Sequence, residues 1–447
     1  MKVCVFSGSP KGKYSITLQT VLYLKEQFPD SSFEILHVGQ RIKAYEKSME
    51  EAVAAVQRAD LLLFCYPVYT FLAPYQLHRF LELLKACKLD MNGKCAAQIS
   101  TSKHFYDMTA QEYIKQNCLD LGLRYLHGLS ADMDDLLSPT GQKQATDFFK
   151  YVLFCAQNGL GNIAQSTAPV TLAPYQSTLS PKEKREGFPT VLVTNRTAED
   201  HNLAAMIADF QAAYPYELRE INIAEYPFAG GCLGCFHCAT SGKCIYKDGF
   251  DAFLRTEIQT ASAIVYAFSI KEHSMGASFK RYDDRQFCNG HRTVTAGMPV
   301  GYLVYGDYEN EPNLRIVLEA RAQVGGNFLA GVATCASEID QMSQQLCYAL
   351  EQKPQLPANF YGVGGMKIFR DLIYLMRGLM KADHQYYKAH GVYDFPQKQR
   401  GRMLMMMLVG GMMRNPFLNR HMGNRMNEGM IAPYQKVLKQ QAKRLEK

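Results

Sequence analysis

Short apolar runs that stop at polar or glycine-bearing turns, each followed by a stretch with helical spacing, recur along this 447-residue chain. Val3 to Phe6 leads into a helical pattern from Ile16-Thr17, Leu61 to Cys65 into an amphipathic stretch from Tyr75 to Leu84, and a further strand ends near Ser100. After a Pro-, Ser- and Thr-rich stretch from about Gly159 to Gly187 the pattern restarts with the strand Thr190 to Thr194 and the helix His201 to Ala213. A strand near Glu217 to Ile223, a long loop, a helix near Phe250 to Ala261 and a strand from Ala263 to Phe268 follow. Strands near Val300 to Tyr305 and Phe328 to Thr334 and a helix, Ser337 to Glu351, close the second round. Strands this continuously apolar, alternating with helices, belong in parallel sheets covered on both faces. The pattern therefore predicts an α/β chain of two tandem doubly wound domains, each with about five parallel strands, followed by a helical extension. The predicted boundaries are 1–158, a linker 159–187, 188–352 and 353–447.

Two loops of the first half carry candidate chemistry. Ser7-Gly8-Ser9-Pro10-Lys11-Gly12-Lys13-Tyr14-Ser15 joins a buried strand to a helix, and so gathers unpaired backbone N–H groups, hydroxyls and a positive helix end at one point, which suits a phosphate. It lacks the Gly-Lys-Ser/Thr of a Walker A loop and the three spaced glycines of a dinucleotide fingerprint. The second loop, Tyr66-Pro67-Val68-Tyr69-Thr70-Phe71-Leu72-Ala73-Pro74, offers aromatic faces on a backbone restrained by two prolines. Both follow strands, and ligands of such sheets bind at the carboxyl ends of the strands. A phosphate cradle beside an aromatic wall points to a flavin mononucleotide.

On the Gly-Ser-Pro opening, the Ser15-Ile16-Thr17 helix start and the Pro67-Val68-Tyr69 turn, residues 1 to about 155 resemble the flavodoxin-like NAD(P)H-dependent FMN reductases. The resemblance, with the repeated strand-helix pattern, implies two flavodoxin-like domains and an FMN-dependent enzyme that takes hydride from NADH or NADPH, held near Tyr69 to Phe71, and passes electrons to a quinone, a small organic acceptor or an iron-sulfur cluster. It assigns Ser9, Lys11, Ser15, Ile16 and Thr17 to the phosphate, Pro67, Val68, Tyr69 and Phe71 to the ring, and Thr101 and Ser102 to the ring edge. Hydride transfer asks for no general acid, and no side chain is singled out as one.

The second half has diverged at the corresponding points. Its first strand runs into Asn195-Arg196-Thr197-Ala198-Glu199-Asp200-His201-Asn202, where two carboxylates replace the Gly-Ser-Pro signature, which argues against a second flavin. Its second loop instead holds Cys232, Cys235, Cys238 and Cys244, spaced C-x2-C-x2-C-x5-C. Four thiolates so spaced can hold a [4Fe-4S] cluster, and zinc takes the same donors. The run resembles the cluster motif of iron-sulfur flavoproteins, and equally the Gly-Cys-x-x-Cys-x-x-Cys loop of FMN reductases that hold no metal, a pattern that Gly242-Lys243-Cys244 and Asp248 also fit. A cluster, bare thiols and zinc thus all remain open, with His237 as a surface residue. If the two halves pair as the subunits of flavodoxin-like dimers do, the first half's flavin faces this loop.

Composition narrows the setting. With 47% apolar and 20% charged residues the chain reads as folded and soluble, and an amino terminus that enters a strand directly predicts a cytoplasmic protein. Thirteen cysteines suit that compartment as reduced thiols or metal ligands, and the nine outside the cluster, Cys4, Cys65, Cys87 and Cys347 among them, as small core residues. Residues 353–447 hold 17 Lys plus Arg against 5 Asp plus Glu, leaving 32 against 37 in the other 352. Met366 to Met380 reads as an amphipathic helix, and the apolar run Leu404 to Met413, with Met403 beside it, is too short to span a bilayer, which takes about 20 residues. Such a tail can pack on the sheet domains or on a second copy in a homo-oligomer, lie on an anionic membrane surface, or dock an acidic ferredoxin-like redox partner. No recognisable motif supports nucleic-acid binding. Two further readings stand beside the reductase: an iron-sulfur flavoprotein carrying electrons between protein partners, and a binding or scaffold protein whose sites have decayed.

Overall fold

Val3 to Ser7 are buried because their strand is central: β1 (Lys2–Ser7) is flanked by β2 (Ser32–Leu36) and β3 (Leu61–Pro67). In the computed structural model, which describes residues 1–164, 172–414 and 416–445, β4 (Cys95–Ser102) and β5 (Arg124–Asp132) extend this into a five-stranded parallel sheet of order β2-β1-β3-β4-β5. Helices α1 (Ile16–Gln27), α2 (Val38–Tyr45), α3 (Glu50–Arg58), α4 (Tyr75–Ala86), α5 (Asp107–Asp120) and α6 (Pro139–Gln157) cover it. The second sheet contains β6 (Thr190–Thr194), β7 (Leu218–Asn222), β8 (Ala263–Ser269), β9 (Pro299–Tyr305) and β10 (Phe328–Ala333) in the order β10-β9-β8-β6-β7. Read from its other edge this is the order of the first sheet, again all parallel. The chain thus carries two flavodoxin-like α/β sheets.

Its remaining helices are α7 (His201–Ala213), α8 (His237–Ser241), α9 (Phe250–Phe253), α10 (Gly276–Arg285), α11 (Pro312–Gly325) and α12 (Ala336–Gln352). The helix expected over Phe250 to Ala261 is α only through Phe253 and continues as a wider π turn, Leu254–Ile258. Beyond the second sheet lie α13 (Phe360–Leu375), α14 (Lys381–Ala389), α15 (Arg400–Met413) and α16 (Pro416–Leu445). Met1–Tyr387 forms one compact unit and Lys388–Lys447 another, so α13 shares a unit with both sheets, where it packs on α11. Of the scattered cysteines, Cys335 is exposed rather than a core residue.

The two halves share a local device. The chain leaves β3 through a tight turn in which Tyr69 and Leu72 exchange both backbone hydrogen bonds, and leaves β8 through one in which Lys271 and Ser274 do the same. In each the two central residues have positive φ: Thr70 (44°) and Phe71 (71°), then Glu272 (53°) and His273 (60°). None of the four is glycine, so each costs of order 1–2 kcal/mol that surrounding contacts must offset. These turns launch α4 and α10, which pack on each other. One apolar cluster runs across that contact, with Leu77, Phe80 and Leu81 from one half and Phe268, Phe279 and Tyr282 from the other.

Candidate active site

The loop after β1 is tied down before it reaches α1. Gly8 N–H donates to the Cys65 carbonyl at 2.8 Å, and a side chain at Gly8 would press on Leu77. Ser9 is buried, and its Oγ accepts from the Lys11 N–H at 3.3 Å. After a 3-10 turn, Gly12–Tyr14, the buried Ser15 caps α1, its Oγ accepting from the Leu18 N–H at 3.4 Å. Each serine thus accepts internally and keeps its O–H proton to donate outward. The first turn of α1 adds free N–H groups and the positive end of the helix dipole. Thr17 Oγ1 and Thr101 Oγ1 are 2.5 Å apart, joining this loop to the end of β4.

Beside it, Val68 N–H donates to the Thr101 carbonyl at 3.2 Å. Ser9, Lys11, Ser15, Ile16, Thr17, Pro67, Val68, Tyr69, Thr101 and Ser102 all line one cavity of about 1370 Å³, counted with its open mouth. Phe71 does not: the turn sends it the other way, buried against Phe105 and Tyr106 at ring separations of 5.1 and 4.6 Å. It borders an adjoining cleft instead.

The facing wall comes from the second half. Cys232, Cys235, Cys238 and Cys244 line the same cavity, joined by Cys288. Gly234, at φ +59°, lies so close to Tyr69 that a side chain there would collide with the tyrosine hydroxyl. Gln76 Nε2 donates to the Cys232 carbonyl at 3.2 Å, and Lys11 Nζ sits 5.2 Å from the centre of the Phe236 ring. Burial lowers the Lys11 ammonium below its ordinary pKa, while Cys235 and Cys232 pull it upward.

Arg285, the last residue of α10, anchors the loop. Its guanidinium makes two 2.8 Å hydrogen bonds to Asp248, donates to the Gly230 carbonyl at 2.9 Å, lies 4.4 Å from the Tyr246 ring centre and reaches Cys244 Sγ at 3.9 Å. Burial alone would raise the Asp248 carboxyl, but the hydrogen bonds from Arg285 and from the Ala229 N–H outweigh it and hold the pKa at about 2. Burial pushes the Cys232 thiol well up, Cys238 up to about 11 and Cys288 up to about 12. No disulfide joins the described cysteines. Among the described residues no three His, Cys, Asp or Glu side chains converge closely enough to hold a metal ion. The thiols share a wall without forming a ligand cluster.

The rest of the cavity was not anticipated from sequence. Ile368, Phe369 and Leu372 of α13 line it, with Phe105, Phe287 and His291. Phe369 stacks on Phe105 at 4.2 Å and meets His291 edge-on at 4.8 Å. Asp383 of α14, fully buried, fixes that histidine, accepting from its backbone N–H at 3.2 Å and bonding Nδ1 at 2.9 Å. The i, i+1, i+4 apolar spacing of Ile368, Phe369 and Leu372 marks one helix face, but nothing in the sequence says what that face meets. At the corresponding point of the second half, Asp200 accepts from Thr197 N–H at 2.7 Å and Thr197 Oγ1 at 2.8 Å. A carboxylate of the chain itself stands where the first loop presents donors.

Residues 1–130 match the family model described as NADPH-dependent FMN reductase. No curated protein matches the chain. Among solved structures, the apo form of an NADH:FMN oxidoreductase (EMOB) is similar at 20% identity and TM-score 0.30, over 34% of this chain and 89% of its own. An FMN-dependent NADH-azoreductase from Bacillus anthracis in complex with FMN is similar at 15% identity and TM-score 0.27, over 36% and 99%. An NAD(P)H:quinone oxidoreductase from Methanothermobacter marburgensis is similar at 12% identity and TM-score 0.28, over 37% and 98%. The family match thus covers residues 1–130, the segment that forms most of the first sheet, and marks that segment as similar to the NADPH-dependent FMN reductases.

Proposed function

We propose that the chain is an FMN-dependent NAD(P)H oxidoreductase that delivers electrons to a quinone or another small organic acceptor in the cavity between its two halves. One observation carries this reading: a donor-rich helix start, a braced turn and an apolar opposite wall border a single open space. When bound, FMN supplies hydride acceptance from the nicotinamide and onward electron transfer. The chain's part is to hold and enclose it. Ser9 and Ser15, with the first N–H groups of α1, would receive the phosphate, and Lys11 would add positive charge there. Pro67, Val68 and Tyr69 would carry the ring plane, with Thr101 and Ser102 at its edge. Phe369, Phe105 and Phe287 form apolar surface that suits a flat acceptor and keeps water from the reacting face.

The reading is tested by anaerobic mixing of the FMN-loaded protein with NADH or NADPH, followed by addition of a quinone. Bleaching of the flavin band by one nicotinamide and its recovery on quinone addition are expected. Loaded protein that neither nicotinamide bleaches overturns it.

A second reading rests on the C-x2-C-x2-C-x5-C spacing: an iron-sulfur flavoprotein in which the four cysteines, which do not converge as ligands in this structure, would close on a cluster and relay single electrons. Its further support is the shared cavity. Iron and sulfide assay of anaerobically purified protein decides it, and protein free of iron leaves the first reading alone.

A further inference from the structure

The unit Lys388–Lys447 carries two apolar surfaces that its own packing leaves uncovered. In α15 the run Met403–Met413 contains only Met, Leu, Val and Gly, and the side chains from Met403 to Leu408 are each 50% exposed or more, Met407 73%. Six consecutive residues cover the whole circumference of a helix, so α15 is apolar all round, which is the signature of a helix surrounded by apolar material. In α16 the exposed Met430, Ile431, Tyr434, Val437 and Leu438 follow i, i+1, i+4, i+7, i+8 and share one face, with Lys436, Lys439 and Lys443 turned away from it. The unit holds 12 Lys plus Arg against 3 Asp plus Glu, a net charge of +9.

We propose that this unit docks on an anionic lipid bilayer. The apolar run of α15 and the apolar face of α16 would sit at the boundary of headgroups and acyl chains, with the cationic side chains on lipid phosphates. At about 1.5 Å per residue the 14-residue α15 is about 21 Å long, short of a hydrocarbon core of about 30 Å, so it lies in the interface rather than across it. Among the described residues no helix is long and apolar enough to cross a membrane. Arg400 and Arg402 precede the run and Arg414 follows it, and their long stems let guanidinium groups reach phosphates while the run stays among acyl chains. Tyr434 suits the same depth. Charge selects lipid over a second copy of the chain, which would bring another +9 to the contact. The inference does not rest on the redox reading.

Flotation of the full-length protein with phosphatidylcholine vesicles, with and without phosphatidylglycerol, tests it. Binding to the anionic vesicles is expected, weaker by about tenfold on phosphatidylcholine alone and falling as salt is added. The double substitution Met407→Asp with Leu408→Asp is expected to weaken it by about tenfold or more with the far-UV spectrum unchanged, and Lys436→Glu with Lys439→Glu to weaken it as well. Failure to float with anionic vesicles overturns the proposal, as does unchanged binding by the Met407/Leu408 variant. A lipid-free dimer that this variant converts to monomer, seen by light scattering, would assign the surface to a second copy and overturn it too.

Discussion

Asp284 accepts a hydrogen bond from the backbone N–H of Tyr75 at 2.7 Å, so a carboxylate on α10 of the second half sits at the amino end of α4 in the first. The same carboxylate accepts from Thr70 Oγ1 at 2.8 Å and pairs with Lys280 Nζ, which also donates to the Tyr69 carbonyl at 2.8 Å. The turn that presents Tyr69 to the cavity, strained at Thr70 and Phe71, is therefore held from across the contact between the halves. Asp284 is fully buried, and burial raises its pKa while the Lys280 charge pulls it down.

Removing that carboxylate should loosen the turn and leave the buried Lys280 ammonium with Asp283, at 3.4 Å, and the Tyr69 carbonyl. Asp284→Ala is expected to destabilise the protein by about 3–5 kcal/mol in urea unfolding and to weaken FMN binding. Asp284→Asn, which keeps the shape, should cost less. Equal stability of wild type and Asp284→Ala would contradict the clamp.

The two loop serines should matter to FMN more than to the fold. A hydrogen bond to a charged group contributes about 1.5–3 kcal/mol, so Ser9→Ala should raise the FMN Kd by about tenfold to a hundredfold. Ser15→Ala should do the same and also lose about 1 kcal/mol of helix-cap stability. Fluorescence titration beside thermal unfolding separates the two effects.

His273 gives the contact between the halves a pH dependence. Its Nε2 lies 2.9 Å from Asp120 of the first half and its Nδ1 2.8 Å from Glu311, so both ring nitrogens face carboxylates. Burial alone would lower its pKa, but the hydrogen bonds to Asp120 and Glu311 outweigh it and raise it to about 9. A raised folded-state pKa stabilises fully below the unfolded value of about 6.5 and is lost as pH climbs through 9. Urea midpoints should fall over that window in the wild type, and fall less in His273→Gln.

Gly234 is where the cysteine loop passes Tyr69. Gly234→Ala meets both the positive φ and the tyrosine hydroxyl, so the loop must retreat from the cavity wall. A backbone cost of about 1–2 kcal/mol is expected, with faster alkylation of the half-buried Cys232 by a thiol reagent. An unchanged alkylation rate would show that the loop tolerates a side chain there.

Much of the scaffold was legible because central parallel strands are apolar on both faces and the turns between elements are chemically marked. Thr190 to Thr194 is a strand as read, and Ser15 caps α1 as its position before Ile16 implies. Phe71 lies outside the cavity that Tyr69 lines because both central residues of its turn have positive φ, which aromatic content alone does not register. Phe369 and His291 were missed for another reason. They reach the cavity through contacts with Phe105 and Asp383, far away in sequence, and no local pattern encodes such contacts. The pairing of Arg285 with Asp248 is of the same kind: a lone arginine at a helix end looks like surface until its partner loop is folded over it.

The central claim, that one FMN lies between the first-half loops and the cysteine wall, is tested most directly by titrating flavin-free full-length protein with FMN and following quenching of flavin fluorescence. Saturation at one FMN per chain is expected, abolished by Ser15→Asp, which sets a negative charge at the amino end of α1, and unaffected by Asp200→Asn in the second half. Absence of quenching, two equivalent sites, or unaltered binding by Ser15→Asp would contradict it.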